Sequence, residues 1–161
     1  MKTAIVFYSM SENCAWTAEK IAEQIDADLI RLEPEKAYPD SGFRKFFWGG
    51  KSALMGDTPK LLPYTFRADS YDRIIFGFPV WASNPTPPIR TFIRENQTGL
   101  SGKKLAAFAC MSGSGAEKAL EKLKGMLGRD QLEAELILID PKDKPSPANE
   151  EKIKAFCSRL A

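Results

Sequence analysis

Short apolar runs alternate along this chain with stretches in which apolar residues recur at helical spacing. Ala4-Ile5-Val6-Phe7-Tyr8 is continuously apolar and rich in β-branched and aromatic residues, which predicts a strand covered on both faces. A polar turn from Ser9 to Asn13 ends it. Ala15, Ala18, Ile21, Ala22 and Ile25 then fall on one helical face, with Glu19, Lys20, Glu23 and Gln24 between them. Ala27 to Leu32 alternates as a second strand and stops before Pro34. From Glu35 to Asp72 the pattern is least regular. The aromatic run Phe43, Phe46, Phe47, Trp48 predicts a short helix over 41–48, with an irregular excursion after Gly49-Gly50. A connection of that length is either functional or hides an element.

Arg73 to Val80, with Ile74, Ile75, Phe76, Phe78 and Val80, reads as the central strand, and Pro79 sits at its end where a missing N–H does little harm. Pro85, Pro87 and Pro88 open a helix with Ile89, Phe92 and Ile93 inward, closing near Gly99. Leu105 to Met111 is a strand, followed by Ser112-Gly113-Ser114-Gly115 and a helical stripe of Ala116, Ala119, Leu120, Leu123, Met126 and Leu127. Leu136 to Ile139 is the last strand, and Asn149 is placed as cap of a final helix with Ile153, Phe156, Cys157 and Leu160 inward. Strand and helix alternate five times in this reading, as expected of one domain over residues 1–161: an open parallel sheet with helices on both faces. Ligands of such sheets bind beyond the carboxyl ends of the strands, where the strand order switches. The loops after Tyr8, Val80 and Cys110 are therefore the places to examine.

Composition narrows the chemistry. The 161 residues contain no histidine, which removes imidazole bases, Ser–His and Cys–His nucleophile pairs and nearly all catalytic zinc sites. Cys14, Cys110 and Cys157 are odd in number and form no CxxC pair, so a disulfide framework is not expected and a reducing, cytoplasmic setting is. Lys plus Arg total 23 against 21 Asp plus Glu, interleaved, which argues against a nucleic-acid partner. The apolar run at 3–8 is too short for a secretory signal, and no stretch approaches the roughly 18 apolar residues of a membrane span.

The first loop, Ser9-Met10-Ser11-Glu12-Asn13-Cys14, offers hydroxyls, an amide and backbone N–H groups at a helix N-terminus; it is either a plain cap or an anion cradle. Trp81, directly after the central strand, is either a locally bonded indole or a plate for a planar ring. In Ser112 to Gly115 two residues lack a Cβ, which allows close approach of backbone to a ligand or merely a turn. Taken together, the three loops fit a planar ring that carries a phosphate.

At this point the chain resembles the flavodoxin-like family of flavin mononucleotide (FMN) proteins. Tyr8-Ser9-Met10-Ser11-Glu12-Asn13-Cys14 is similar to its T/S-x-T-G-N-T phosphate loop, and Gly77-Phe78-Pro79-Val80-Trp81-Ala82 to its G-x-P-V-W segment. Cys110 to Ala119 is similar to the third loop and its helix, and Gly49-Gly50-Lys51-Ser52-Ala53-Leu54 to a segment of one bacterial branch. The resemblance implies a doubly wound α/β/α sandwich with a five-stranded parallel sheet in the order 2-1-3-4-5. It also implies FMN as cofactor, held by Ser9, Met10, Ser11, Glu12, Asn13 and Cys14 at the phosphate. Pro79, Val80, Trp81, Ala82, Ser83 and Asn84 would lie along the ring, with Met111, Ser112, Gly113, Ser114 and Gly115 at its pyrimidine edge. The implied function is one- or two-electron transfer to a redox partner protein or a small-molecule acceptor. An FMN-dependent NAD(P)H:quinone-type oxidoreductase on the same scaffold, and a binding protein that has lost FMN affinity, are the alternatives.

Three positions depart from the family pattern. Glu12 stands in place of Gly; turned to solvent its repulsion of a phosphate is about 1 kcal/mol, and turned inward it would cut FMN affinity sharply. Cys14 replaces a hydroxyl, and a thiol beside a helix N-terminus is expected to have a lowered pKa. Ser83 stands where Gly is frequent. The balanced charge also differs from that of strongly acidic shuttle flavodoxins. Gly50-Lys51-Ser52 is not a nucleotide P-loop, because Lys45 occupies the required Gly position. A phosphoacceptor receiver has the same architecture but needs carboxylates where Ser9-Met10 and Pro79-Val80-Trp81 stand.

Overall fold

Every residue of Thr3–Phe7 is buried, which accounts for a run with no polar alternation. It is the inner strand β1 of a computed structural model that describes residues 1–38 and 56–161. The other strands are β2 (Asp28–Arg31), β3 (Arg73–Pro79), β4 (Lys104–Met111) and β5 (Glu135–Ile139). Helices α1 (Asn13–Ile25), α2 (Pro87–Glu95), α3 (Gln97–Leu100), α4 (Ala116–Leu127) and α5 (Pro147–Leu160) connect or follow them, and a 3-10 turn at Ala68–Ser70 precedes β3. The expected helix over 41–48 and the segment Gly49 to Leu54 lie outside the described residues.

All strand pairings are parallel and the order is β2-β1-β3-β4-β5, the doubly wound arrangement. Alternate residues of each strand face opposite sides. Ala4, Val6, Ile74, Phe76 and Phe78 meet Ile89 and Phe92 of α2 and Leu120 and Leu123 of α4 on one face. Ile5, Phe7, Ile75 and Phe108 meet Ala18 and Ile21 of α1 and Ile153, Phe156 and Leu160 of α5 on the other. The chain thus leaves β1 toward one face and β3 toward the other. That makes the β1–β3 seam the switch point.

Gly77 lies beside Phe108 in the β3–β4 register, and a Cβ at Gly77 would come within 2.1 Å of the Phe108 Cζ. The glycine of G-x-P-V-W is here a packing requirement: the Phe108 ring occupies the space a side chain would take.

Two boundaries differ from the sequence reading. The helix opened by Pro87 and Pro88 stops at Glu95 and resumes as α3. Asn96 breaks it, because its side-chain amide donates to the Phe92 carbonyl at 2.9 Å and to the Tyr64 hydroxyl at 2.8 Å, in competition with helical bonding. The cap of the last helix is Ser146, not Asn149: the Ser146 Oγ accepts the Asn149 N–H at 3.2 Å, with Pro147 in the first turn.

At the opposite end of the sheet from the switch-point loops, nearly buried Arg73 forms a two-pronged pair with Glu133, both bonds 2.8 Å. The Arg73 hydrogen bonds hold the Glu133 carboxyl below its ordinary 4.5, against the opposing effect of desolvation. Because the folded-state value is depressed, this stabilisation is complete above that ordinary value and is lost as pH falls through the folded one. Glu133→Gln is expected to cost about 2 kcal/mol at pH 7 by leaving the guanidinium without its charge partner. The gap between variant and parent urea midpoints should narrow as the pH is taken well below 4.5.

Candidate functional site

Ladder bonds continue past the strand ends and bring four loops to one edge. The Tyr8 N–H donates to the Gly77 carbonyl at 3.0 Å and the Leu32 N–H to Phe7 at 2.8 Å. The Val80 N–H donates to Cys110 at 2.9 Å and the Asp140 N–H to Met111 at 3.1 Å. Between these loops lies a cleft lined by Met10, Ser11, Asn13, Pro79, Val80, Trp81, Ala82, Cys110, Met111, Ser112, Gly113, Ser114 and Asp140.

In the first loop, Ser9 is buried and its Oγ accepts the Ala15 N–H at 3.1 Å, inside the first turn of α1. The Asn13 side chain ties this turn to the segment after β5. Its Oδ1 accepts the N–H groups of Lys142 at 2.9 Å and Asp143 at 3.3 Å, while its Nδ2 donates to Ser11 Oγ and to Asp143. Among the described residues, the N–H groups of Met10, Ser11, Glu12, Asn13 and Cys14 have no acceptor. They sit at the start of a 13-residue helix, where the dipole favours an anion. Glu12 has φ 68°, a left-handed conformation that glycine adopts without steric cost. Its carboxylate turns away from the cleft to Arg31, whose Nη2 reaches Glu12 Oε1 at 2.8 Å and the Ser9 carbonyl at 3.1 Å. The Arg31 hydrogen bond lowers the Glu12 pKa, and the same bond raises that of Arg31.

The expectation of an activated thiol at Cys14 is corrected. Cys14 is 1% exposed and packs with Cys110 in the core, and burial pushes its pKa well up. A helix N-terminus lowers a thiol pKa only where the thiolate stays solvated or paired. Cys110 and Cys157 are buried, as expected of small apolar residues.

The second loop is a tight turn. Trp81 and Asn84 exchange N–H···O bonds at 3.1 and 2.9 Å, and Ala82 and Ser83 between them have φ 50° and 59°. The Asn84 Nδ2 donates back to the Ala82 carbonyl, locking the turn. Trp81 stands at nearly right angles to Tyr8 (centroids 5.7 Å apart) and Tyr38 (5.1 Å). Burial raises the pKa of the Tyr8 hydroxyl, which stays protonated.

In the third loop the Ser112 hydroxyl donates to Asp140 Oδ1 at 2.9 Å. Gly115, at φ 103°, is the N-cap of α4, and a Cβ there would lie 2.6 Å from Ser83 Oγ. The second and third loops therefore abut. Of the expected site residues, Ser9, Glu12, Cys14, Ser83, Asn84 and Gly115 flank the cleft-lining residues in the same loops, and their contacts hold the loops in shape. Arg31 and Asp140 were absent from the sequence reading. Asp140 follows the last strand, so its place at this edge is implied by parallel topology alone, while Arg31 reads as one charge in an exposed strand.

Sequence comparison matches residues 2–140 to the family model described as Flavodoxin. The chain belongs to the flavodoxin family. No curated protein matches it. Among solved structures, this flavodoxin-family fold is similar to a flavoprotein of Lactobacillus acidophilus in complex with FMN, at 23% identity and TM-score 0.71, covering 88% of this chain and 95% of that one. It is similar to oxidised Flavodoxin 1 of Bacillus cereus at 19% identity, TM-score 0.59, and coverage of 99% and 97%. It is also similar to an NADPH-quinone reductase of P. pentosaceus at 12% identity, TM-score 0.60, and coverage of 100% and 98%. Among the described residues, no helix is long and apolar enough to cross a membrane.

The contact between loops gives a direct test. Gly115→Ala combines a left-handed backbone with a steric clash against Ser83 and is expected to cost about 1–3 kcal/mol in urea unfolding. Adding Ser83→Gly should recover the steric part only, because the positive φ at position 115 remains.

Proposed function

We propose that this flavodoxin-family protein binds FMN in the cleft at the β1–β3 seam and carries electrons, one or two at a time, to a partner protein or small acceptor. The observation that carries the reading is the row of amides at Met10 to Cys14 that have no acceptor among the described residues, placed at the N-terminus of α1 with Trp81 across the same cleft. Five N–H groups and a helix dipole suit a phosphate dianion. The Ser9 hydroxyl, already accepting from Ala15, retains its proton for donation to the same anion. The donor set therefore fits, and the outward turn of Glu12 leaves the cradle open, against the alternative of lost affinity.

When bound, FMN would supply reversible one- and two-electron chemistry. Trp81 would lie against its ring, steadied by Tyr8 and Tyr38, while Pro79, Val80 and the locked turn at Ala82, Ser83 and Asn84 set one wall. Backbone groups of Met111 to Gly115 would meet the polar edge. Three free, buried cysteines suit a reducing compartment, and we place the protein in the cytoplasm. The FMN complex of the L. acidophilus neighbour supports the cofactor, and the oxidised B. cereus flavodoxin and the P. pentosaceus NADPH-quinone reductase support redox chemistry on this fold.

Titration of purified protein with FMN, followed by flavin fluorescence and absorbance, tests the reading. Saturable quenching and a yellow complex bleached by dithionite are expected, and Trp81→Ala should weaken binding about tenfold or more. An absence of FMN binding at micromolar protein would refute the assignment. Rapid NADPH oxidation in the presence of a quinone would move it from carrier to reductase.

A further inference from the structure

Glu12 is the residue in this site that the proposed ligand should least tolerate, and Arg31 is built around it. The guanidinium covers both carboxylate oxygens, at 2.8 Å for Oε1 and 3.4 Å for Oε2. The Nη2 that holds Oε1 also donates to the Ser9 carbonyl at 3.1 Å, and Nε holds Glu33 at 2.9 Å. The Arg31 guanidinium carbon lies 5.9 Å from the Phe7 ring centroid, which steadies the fork from beneath. One side chain on the edge strand β2 thus grips the first and fourth residues of the loop that starts at Ser9.

We infer that Arg31 is a positioning residue for phosphate binding: it draws the Glu12 carboxylate out of the cradle and aims the loop's first amide. This rests on the FMN reading above. Two effects follow from the geometry. The first is charge: Glu12 contributes its own amide to the cradle, and its carboxylate repels a phosphate dianion unless a cation pairs with it; Lys142 is the other cation acting on Glu12. The second is orientation: in a planar trans peptide the C=O and N–H point in opposite directions, so a Ser9 carbonyl held by Arg31 directs the Met10 N–H away from Arg31. The pair therefore offsets the presence of a carboxylate at a left-handed position that glycine would fill without charge. The left-handed backbone is kept, and the added charge is neutralised from a neighbouring strand.

The test compares FMN with riboflavin, which has the ring and ribityl chain but no phosphate. In the parent protein FMN should bind more tightly than riboflavin. Arg31→Gln should weaken FMN about tenfold and leave riboflavin within twofold. Arg31→Lys should recover part of the loss through charge alone, and Glu12→Gln combined with Arg31→Gln should recover the charge part of it but not the part due to the Ser9 carbonyl. A readout without ligand accompanies these: the Glu12 carboxyl, followed by NMR, should titrate higher in Arg31→Gln than in the parent. Equal weakening of FMN and riboflavin, no change in either, or no recovery in the double variant would each overturn the inference while leaving FMN binding intact. A parent protein that binds neither compound would remove the flavin reading itself. Arg31 lies on an exposed edge strand, and unchanged urea midpoints would show that the variants fold.

Discussion

The hydrogen bond from the Tyr8 amide to the Gly77 carbonyl closes the sheet where β1 and β3 send the chain to opposite faces. Everything at the cleft depends on that seam. Parallel strands end their ladders on the same side, so each loop beyond them starts at a fixed place and height. Gly77 lets the Phe108 ring lie flat under β3, which keeps β3 and β4 in close register beneath Trp81 and Met111. The Arg73–Glu133 pair, its guanidinium buried, ties the far end of β3 to the segment before β5. The site loops are therefore presented by a frame that is tied at both ends.

On this frame the three loops use different devices. The loop after β1 leaves amides without acceptors among the described residues and uses its side chains to hold shape: Ser9 on the first turn of α1, Asn13 on the segment after β5, Glu12 on Arg31. The loop after β3 closes on itself through paired backbone bonds and two left-handed residues, neither of them glycine. Such a turn stores strain that the surrounding contacts must hold. Gly115 supplies one of those contacts by having no side chain where Ser83 sits. Positions 12 and 83 thus have left-handed backbones without glycine, and in both cases a neighbouring residue accommodates the side chain.

Much of this was legible in the residues. The uninterrupted runs without polar side chains at 4–8 and 74–80 marked central strands, because only strands buried on both faces lose polar alternation. The helical stripes of α1, α2 and α4 followed from spacing, and the strand ends pointed to the three loops. What was misread was local. Asn96 inside an apolar stripe did not reveal that its amide would capture the Phe92 carbonyl, and Asn149 was read as the cap of the last helix, whereas Ser146, three residues earlier, accepts its N–H.

The sequence by itself determined the alternation of strands and helices, the family motifs and the edge of the sheet to examine, since these follow from local periodicity and the rules of parallel topology. Only the tertiary structure decided the direction of individual side chains. Glu12 turns outward because Arg31, nineteen positions away, waits on β2; Cys14 is an inert core thiol because the first turn of α1 faces β4. Asp140 joins the cleft because β5 ends beside β4. Charge pairing, desolvation and steric fit act between residues distant in the chain, and no local pattern records them.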